Sequence, residues 1–357
     1  MANYRRRLEQ DLDGWIGRGL VPAENRTAIL ESVSEGRRLD AATALAVIGA
    51  LLAGVAVIAF VAANWGVIPR IARFGLILAA FLGAAGRAAW ASARGRPIAS
   101  QALLSVAALV FAAAIGLTGQ IFDIAGDPQA ALRMAGLGGA LLALAGRSPW
   151  AAVVTLAMIT VGDFMDQRVF GRDAAWAGWL IGAAPLGVAG ALAWRSQALA
   201  HAAGLAAILT ALTCDPFMRD RSETLFLVAA GVMAIAAAGA RWLRERPDAG
   251  FGSPAGVLYG WFAWGALLWF GVAGFDDTLR GVAHSLAWIV LAGAAVGVGR
   301  HDRQGGVTAA GVVGLFAAGA TLLFNLGVGL MTSAAVFAGS ALIALAVAFV
   351  LRRRRAV

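Results

Sequence analysis

The sequence has no lysine, one cysteine, two tyrosines and three histidines among its 357 residues. A single cysteine, Cys214, excludes an internal disulfide and any multi-cysteine metal site. Charged residues make up only 14% of the chain, against roughly 25% in a soluble globular domain. So few charges could not cover the surface of a soluble chain this long. Carboxylates are also missing from the middle of every long apolar run: Asp163 ends one and Glu223 begins another. A carboxylate kept deep in hydrocarbon usually serves proton or ion coupling, so this absence argues against a carboxylate-coupled pump or antiporter. Broken helices that coordinate ions through backbone carbonyls keep the transporter class open. No phosphate-cradling glycine loop, zinc-protease pair or nucleophile elbow occurs. No nucleophile stands near a base, so an intramembrane enzyme is the least supported class. His201 and His284 have no second histidine or carboxylate at i+3 or i+4, so neither points to a metal. No cofactor is indicated.

What is present is apolar surface: 60% hydrophobic residues and a mean hydropathy of +0.77. These values place the chain in the membrane class. The reading is an all-α, polytopic transmembrane helix bundle in a lipid bilayer. A transmembrane helix needs about 20 apolar residues. On that measure twelve spans are expected at 41–63, 71–92, 99–119, 130–146, 149–163, 174–194, 198–214, 223–243, 254–273, 280–299, 305–324 and 328–351. The fifth and seventh are short, which leaves ten to twelve. Eight of the nine prolines fall in the head, in breaks or at span ends, where a missing N–H costs little. Only Pro185 lies inside a span.

Residues 1–40 form a separate head with seven arginines and seven carboxylates. Leu8, Leu12, Trp15 and Ile16 recur at helical spacing, and Gly19 suits a left-handed cap. Pro22 opens a second helix with Ile29, Leu30 and Val33 on its apolar face. A helical hairpin on the cytoplasmic side is expected, packed on the bundle or docking a protein partner. Residues 41–351 are the bundle and 352–357 a basic tail.

The net charge of +9 is carried by arginines placed between apolar runs, not on one patch. That placement fits a topology signal better than nucleic-acid binding. With the head inside, 21 arginines fall on the cytoplasmic side and eight outside, and ten of the thirteen carboxylates beyond the head fall outside. Both termini are therefore expected in the cytoplasm.

Three polar features face outward on this topology. Asn64 and Trp65 stand in the turn ending Pro69-Arg70; Gln120, Asp123 and Asp127 follow the third span; Asn325 begins Asn-Leu-Gly-Val at a later outer turn. The simpler reading is that each caps its own turn. The alternative is one outer-facing cavity made acidic by Asp123 and Asp127. In the ninth span Trp261, Trp264 and Trp269 lie roughly on one helical face, suited to packing or to lining a path for an apolar substrate. Gly178/Gly182 and Gly256/Gly260 have the spacing of close helix contacts.

The head segment Leu12-Asp13-Gly14-Trp15-Ile16, the Ala-Ala-Asn-Trp turn, and Gly119-Gln120-Ile121-Phe122 with Gly126-Asp127 occur in a particular order. In that order the chain, over about residues 5–150, resembles the predicted bacterial membrane proteins grouped as the domain-of-unknown-function 2157 family. The resemblance implies a bacterial inner-membrane protein with a cytoplasmic N-terminal helical segment; it brings no activity or site residues. Two functions are carried forward. One is a transporter-like, lipid- or small-molecule-handling protein with an outer polar cavity. The other is a scaffold or regulator acting through the head.

Overall fold

Prolines and tight turns divide the chain into helices, because a proline at a first helical position sacrifices an N–H that would have no partner anyway. The computed structural model describes residues 2–32, 63, 66–124, 126–165, 178–214, 222–245, 252–274, 278–329, 332 and 339. Among them all regular structure is helical. The head holds α1 (Ala2–Gly17) and α2 (Asn25–Ser32). Gly19, at φ +70°, ends α1 in the expected left-handed cap, donating to the Ile16 carbonyl. Arg26 Nε donates to Asp13 Oδ1 at 2.8 Å, and this bond holds the Asp13 carboxyl below its usual value.

From Arg70 onward the helices are α3 (Arg70–Ala93), α4 (Pro97–Ile121), α5 (Pro128–Ala145), α6 (Pro149–Met165) and α7 (Leu180–Ala193). They continue as α8 (Gln197–Cys214), α9 (Ser222–Glu245), α10 (Gly252–Val272), α11 (Thr278–His301) and α12 (Gly305–Asn325). These ten occupy ten of the twelve expected spans; the segments 41–63 and 328–351 lie almost wholly outside the described residues. Seven of the ten, α3, α4 and α8 through α12, are long and apolar enough to cross a membrane. Helices α6 and α7 are apolar but shorter, and α5 carries Arg133.

Consecutive helices pair into hairpins: α3 with α4, α5 with α6, α7 with α8, α9 with α10, and α11 with α12. Small residues let the pairs approach. A Cβ on Gly139 would lie 2.7 Å from Thr155 Oγ1, and one on Gly311 2.7 Å from the Ala292 carbonyl oxygen. Gly260 meets Gly306 backbone to backbone where α10 crosses α12. The small-residue spacing at 256/260 thus marks a real crossing, as small residues do in membrane bundles. Helix α10 is central: it packs on α7, α8, α9, α11 and α12, and 61% of its most apolar stretch is buried. For α3 and α4 that share is 17%, so they are peripheral.

Four short turns join hairpin partners at one end of the bundle. The first three are held together by a cluster of Ala88, Leu104, Ala143 and Ala151 with Trp194 packed against it. Each turn closes with the same pair of backbone bonds. In the second, Arg147 N–H donates to the Leu144 carbonyl and Ser148 N–H to that of Ala143; in the third, Arg195 and Ser196 repeat this to Leu192 and Ala191. Gly95 and Arg303 occupy the equivalent place in the other two. Ser148 and Ser196 then cap the next helix, accepting from the N–H groups of Ala151 and Leu199.

Candidate functional site

Among the described residues, two clusters of opposite charge join the helices, one at each end. At the end opposite the short turns, Arg133 of α5 reaches Asp163 of α6, thirty residues on. Arg133 Nη2 lies 2.7 Å and Nε 2.9 Å from Asp163 Oδ1. The side chains are 6% and 0% exposed. Asp163 Oδ2 accepts the backbone N–H of Leu180 at 2.8 Å. The carboxylate therefore caps the first turn of α7 from another helix, where a negative charge suits the helix dipole. The guanidinium also lies over the Trp179 ring, 5.7 Å from its centroid. Gly178 leaves room for this carboxylate, since a Cβ would come within 2.3 Å of Asp163 Oδ2.

The second group joins α9, α10 and the α11–α12 turn. Arg241 Nη2 donates to Asp302 Oδ1 at 2.9 Å, and Arg241 Nε lies 2.7 Å from Oδ2. Tyr259 donates its hydroxyl to Asp302 Oδ2 at 3.0 Å. Arg244 reaches the Asp302 carbonyl at 3.2 Å and lies over the Tyr259 ring. Gln304 Nε2 donates to the Gly256 carbonyl. Burial pushes the Asp302 carboxyl up, but the hydrogen bonds from Arg241 and Tyr259, with the charges of Arg241 and Arg244, outweigh it and leave the carboxyl below its usual value.

Between α9 and α11, with α10 as floor, runs a cleft of about 550 Å³. Leu227, Ala234, Leu267, Phe270 and Leu291 are among its lining residues, and Arg241 and Tyr259 stand at one end. All the other lining side chains are apolar or glycine. A second cleft of about 480 Å³ lies among α7, α8, α9 and α10 and includes Pro185; Thr210 is its sole polar residue.

The residues singled out in the sequence have definite places. Asp123, at φ +53°, pairs with Arg70 Nη2 at 2.8 Å, both exposed. Asp127 caps α5, accepting the Gln129 N–H. Gln120 is exposed in the last turn of α4. Asn325 ends α12 and donates to Ser285 Oγ on α11 at 3.2 Å. Asn64 and Trp65 lie outside the described residues. Gln120, Asp123 and Asp127 thus stand together between α4 and α5, whereas Asn325 belongs to the α11–α12 contact. The tryptophans of α10 divide among neighbours. Trp261 Nε1 donates to His201 Nδ1 of α8 at 2.9 Å, and Trp269, 3% exposed, stacks on Phe226 of α9. Trp264 is partly buried against the core. The other lone histidine, His284, stacks on Phe270 and bonds its carbonyl. Among the described residues no three of His, Cys, Asp and Glu gather as a metal site would need.

Arg133, Asp163, Arg241, Tyr259 and Asp302 had not been singled out as a site. A signal for them existed. Arg133 and Asp163 are opposite charges near the same end of adjacent spans. Asp302 and Glu245 are rare carboxylates on the arginine-rich side, and both contact Arg241.

Residues 13–152 match the family model described as "Predicted membrane protein (DUF2157)". The match covers the N-terminal part, from within α1 to the first turn of α6. No curated protein and no solved structure matches the chain.

Proposed function

We propose that this is a lipid-handling, transporter-like membrane protein that takes the chain of an amphiphile into the cleft between α9 and α11. The carrying observation is the form of that cleft: apolar along its length, with Arg241 and Tyr259 at one end. Its volume falls within the range of about 300–1,000 Å³ usual for small-molecule sites. An apolar chain would displace little water there, and an anionic head would meet Arg241 and Arg244. Among the described residues, Arg244 makes hydrogen bonds only to neutral oxygens, at 3.2 and 3.4 Å, and its charge acts on Asp302 without a direct ion pair. Asp302, held by Arg241 and Tyr259, keeps the arginine of the cleft mouth in place when no anion is bound.

The finer topology belongs to the same proposal. About twelve spans cross a bacterial inner membrane, with 41–63 first and 328–351 last. The two head helices form a hairpin, and the arginine-rich turns face the cytoplasm with both termini.

The test is native mass spectrometry of the protein taken from its membrane in lipid particles. Wild type is expected to carry a stoichiometric amphiphile, and Ala234→Trp, which fills the cleft from an exposed position on α9, is expected to lose it. Val290→Trp, on α11 at a position 70% exposed and not lining the cleft, is expected to keep it. If Ala234→Trp remains folded and keeps the amphiphile at wild-type ratio, the cleft is not the site.

A further inference from the structure

The four short turns share one geometry, in which the second residue after the helix takes a left-handed conformation. Glycine is the usual occupant of this place, because a Cβ there crowds the neighbouring carbonyl. Gly19, Gly95 and Gly327 follow that rule. The turns after α5, α7 and α11 do not: Arg147, Arg195 and Arg303 hold it at φ +46°, +52° and +52°. All three side chains are exposed. Among the described residues, those in this conformation at the other end are Asp123 and Gly327.

A topology signal does not explain the placement. Arginine bias acts through charge near a span end, and Arg94, Arg96 and Arg300 supply that charge without a left-handed backbone. A left-handed residue at the apex of a helix–helix turn stands beyond the last helical turn. Arg303 also lines a groove beside α12 with Gln304, Thr308 and Val312. Three exposed arginines are thus carried on turn apices beyond the helix ends. A guanidinium pairs bidentately with a phosphate.

We infer that Arg147, Arg195 and Arg303 form a docking surface for the phosphates of anionic lipid headgroups in the leaflet at this end of the bundle. The occupant follows from charge complementarity and from the place of these turns at one end of a bundle in which α8, α11 and α12, beside the Arg195 and Arg303 turns, are long and apolar enough to cross a membrane. This surface is separate from the α9–α11 cleft and does not depend on what that cleft binds. Each arginine at an anionic leaflet is worth about fivefold in lipid preference, an effect that fades as salt screens it.

The test turns on a reversal of sign. Replacing all three arginines by glycine removes the crowded Cβ while the turn keeps its backbone bonds. In bilayer discs of phosphatidylcholine alone, the triple variant is expected to melt at or a few degrees above the wild type, roughly 2–4 °C. In discs doped with phosphatidylglycerol, wild type is expected to gain thermal stability, and the variant to gain little or nothing. High salt should remove the wild-type gain. A variant that gains as much as the wild type would overturn the inference, as would a wild type that gains nothing. A variant that melts lower in phosphatidylcholine would also overturn it, since the arginines would then serve the fold through contacts of their own.

Discussion

Removing one partner of the Arg133–Asp163 pair is the most severe single change that the structure predicts. Both side chains are withdrawn from water, at 6% and 0% exposure, so neither survivor could regain solvation. Breaking such a pair costs about 3–5 kcal/mol, because a buried charge is left without a partner. Replacing both charges by apolar side chains of similar size is often neutral or stabilising. Asp163 has a further duty, accepting the Leu180 N–H at 2.8 Å; leaving that donor orphaned adds about 1–3 kcal/mol. The expected order of loss is therefore Asp163→Leu above Arg133→Met, with the double variant retaining only the orphaned-donor cost. At roughly 2 °C per kcal/mol for a large chain, Arg133→Met should lower the melting temperature by roughly 6–10 °C, and the double variant by less than either single change. Tryptophan fluorescence melts of all four proteins in one detergent would read this cycle. If the double variant loses the sum of the two single losses, the side chains do not act as a pair. A shift under about 2 °C for either single variant would mean that the pair is not withdrawn from solvent.

The same site penalises a side chain at position 178. Gly178→Ala places a Cβ 2.3 Å from Asp163 Oδ2 and 2.9 Å from Thr213 Cβ, an overpacking expected to cost about 1–3 kcal/mol. The loss should be smaller in an Asp163→Ala background; equal losses in both would remove the carboxylate as its cause. At the other end, the Asp302 carboxyl titrates below its usual value when folded. Its contribution is therefore present above the unfolded value and lost as the pH falls through the folded one, below about pH 4. Tyr259→Phe removes a hydrogen bond to this carboxylate and should cost about 1.5–3 kcal/mol at neutral pH. Melts from pH 7 to pH 3 should show the gap between wild type and Tyr259→Phe narrowing at the acid end, and a gap independent of pH would refute the role given to Asp302.

The class of the protein and the ends of its helices were legible in the residues. Bilayer thickness demands a fixed length of apolar chain, and the breaks between such lengths are marked by proline, glycine and arginine, whose effects are local. Pro97, Pro128 and Pro149 begin helices in the structure where the sequence alone begins spans near 99, 130 and 149. The turn roles of Asp127 and Gly19 were readable for the same reason, since a cap acts over three or four residues. Which charges meet was decided by tertiary structure alone. Arg133 and Asp163 join two helices and also cap a third, and Arg241 finds Asp302 sixty-one residues away. Trp261 and Trp269 share a helix, yet one bonds a histidine on α8 and the other stacks on α9. The α9–α11 cleft has no local signature either, because it is a gap left where two apolar helices both pack on α10. Hydropathy determines that a helix enters the bilayer; packing determines which of its faces meets protein and which remains open.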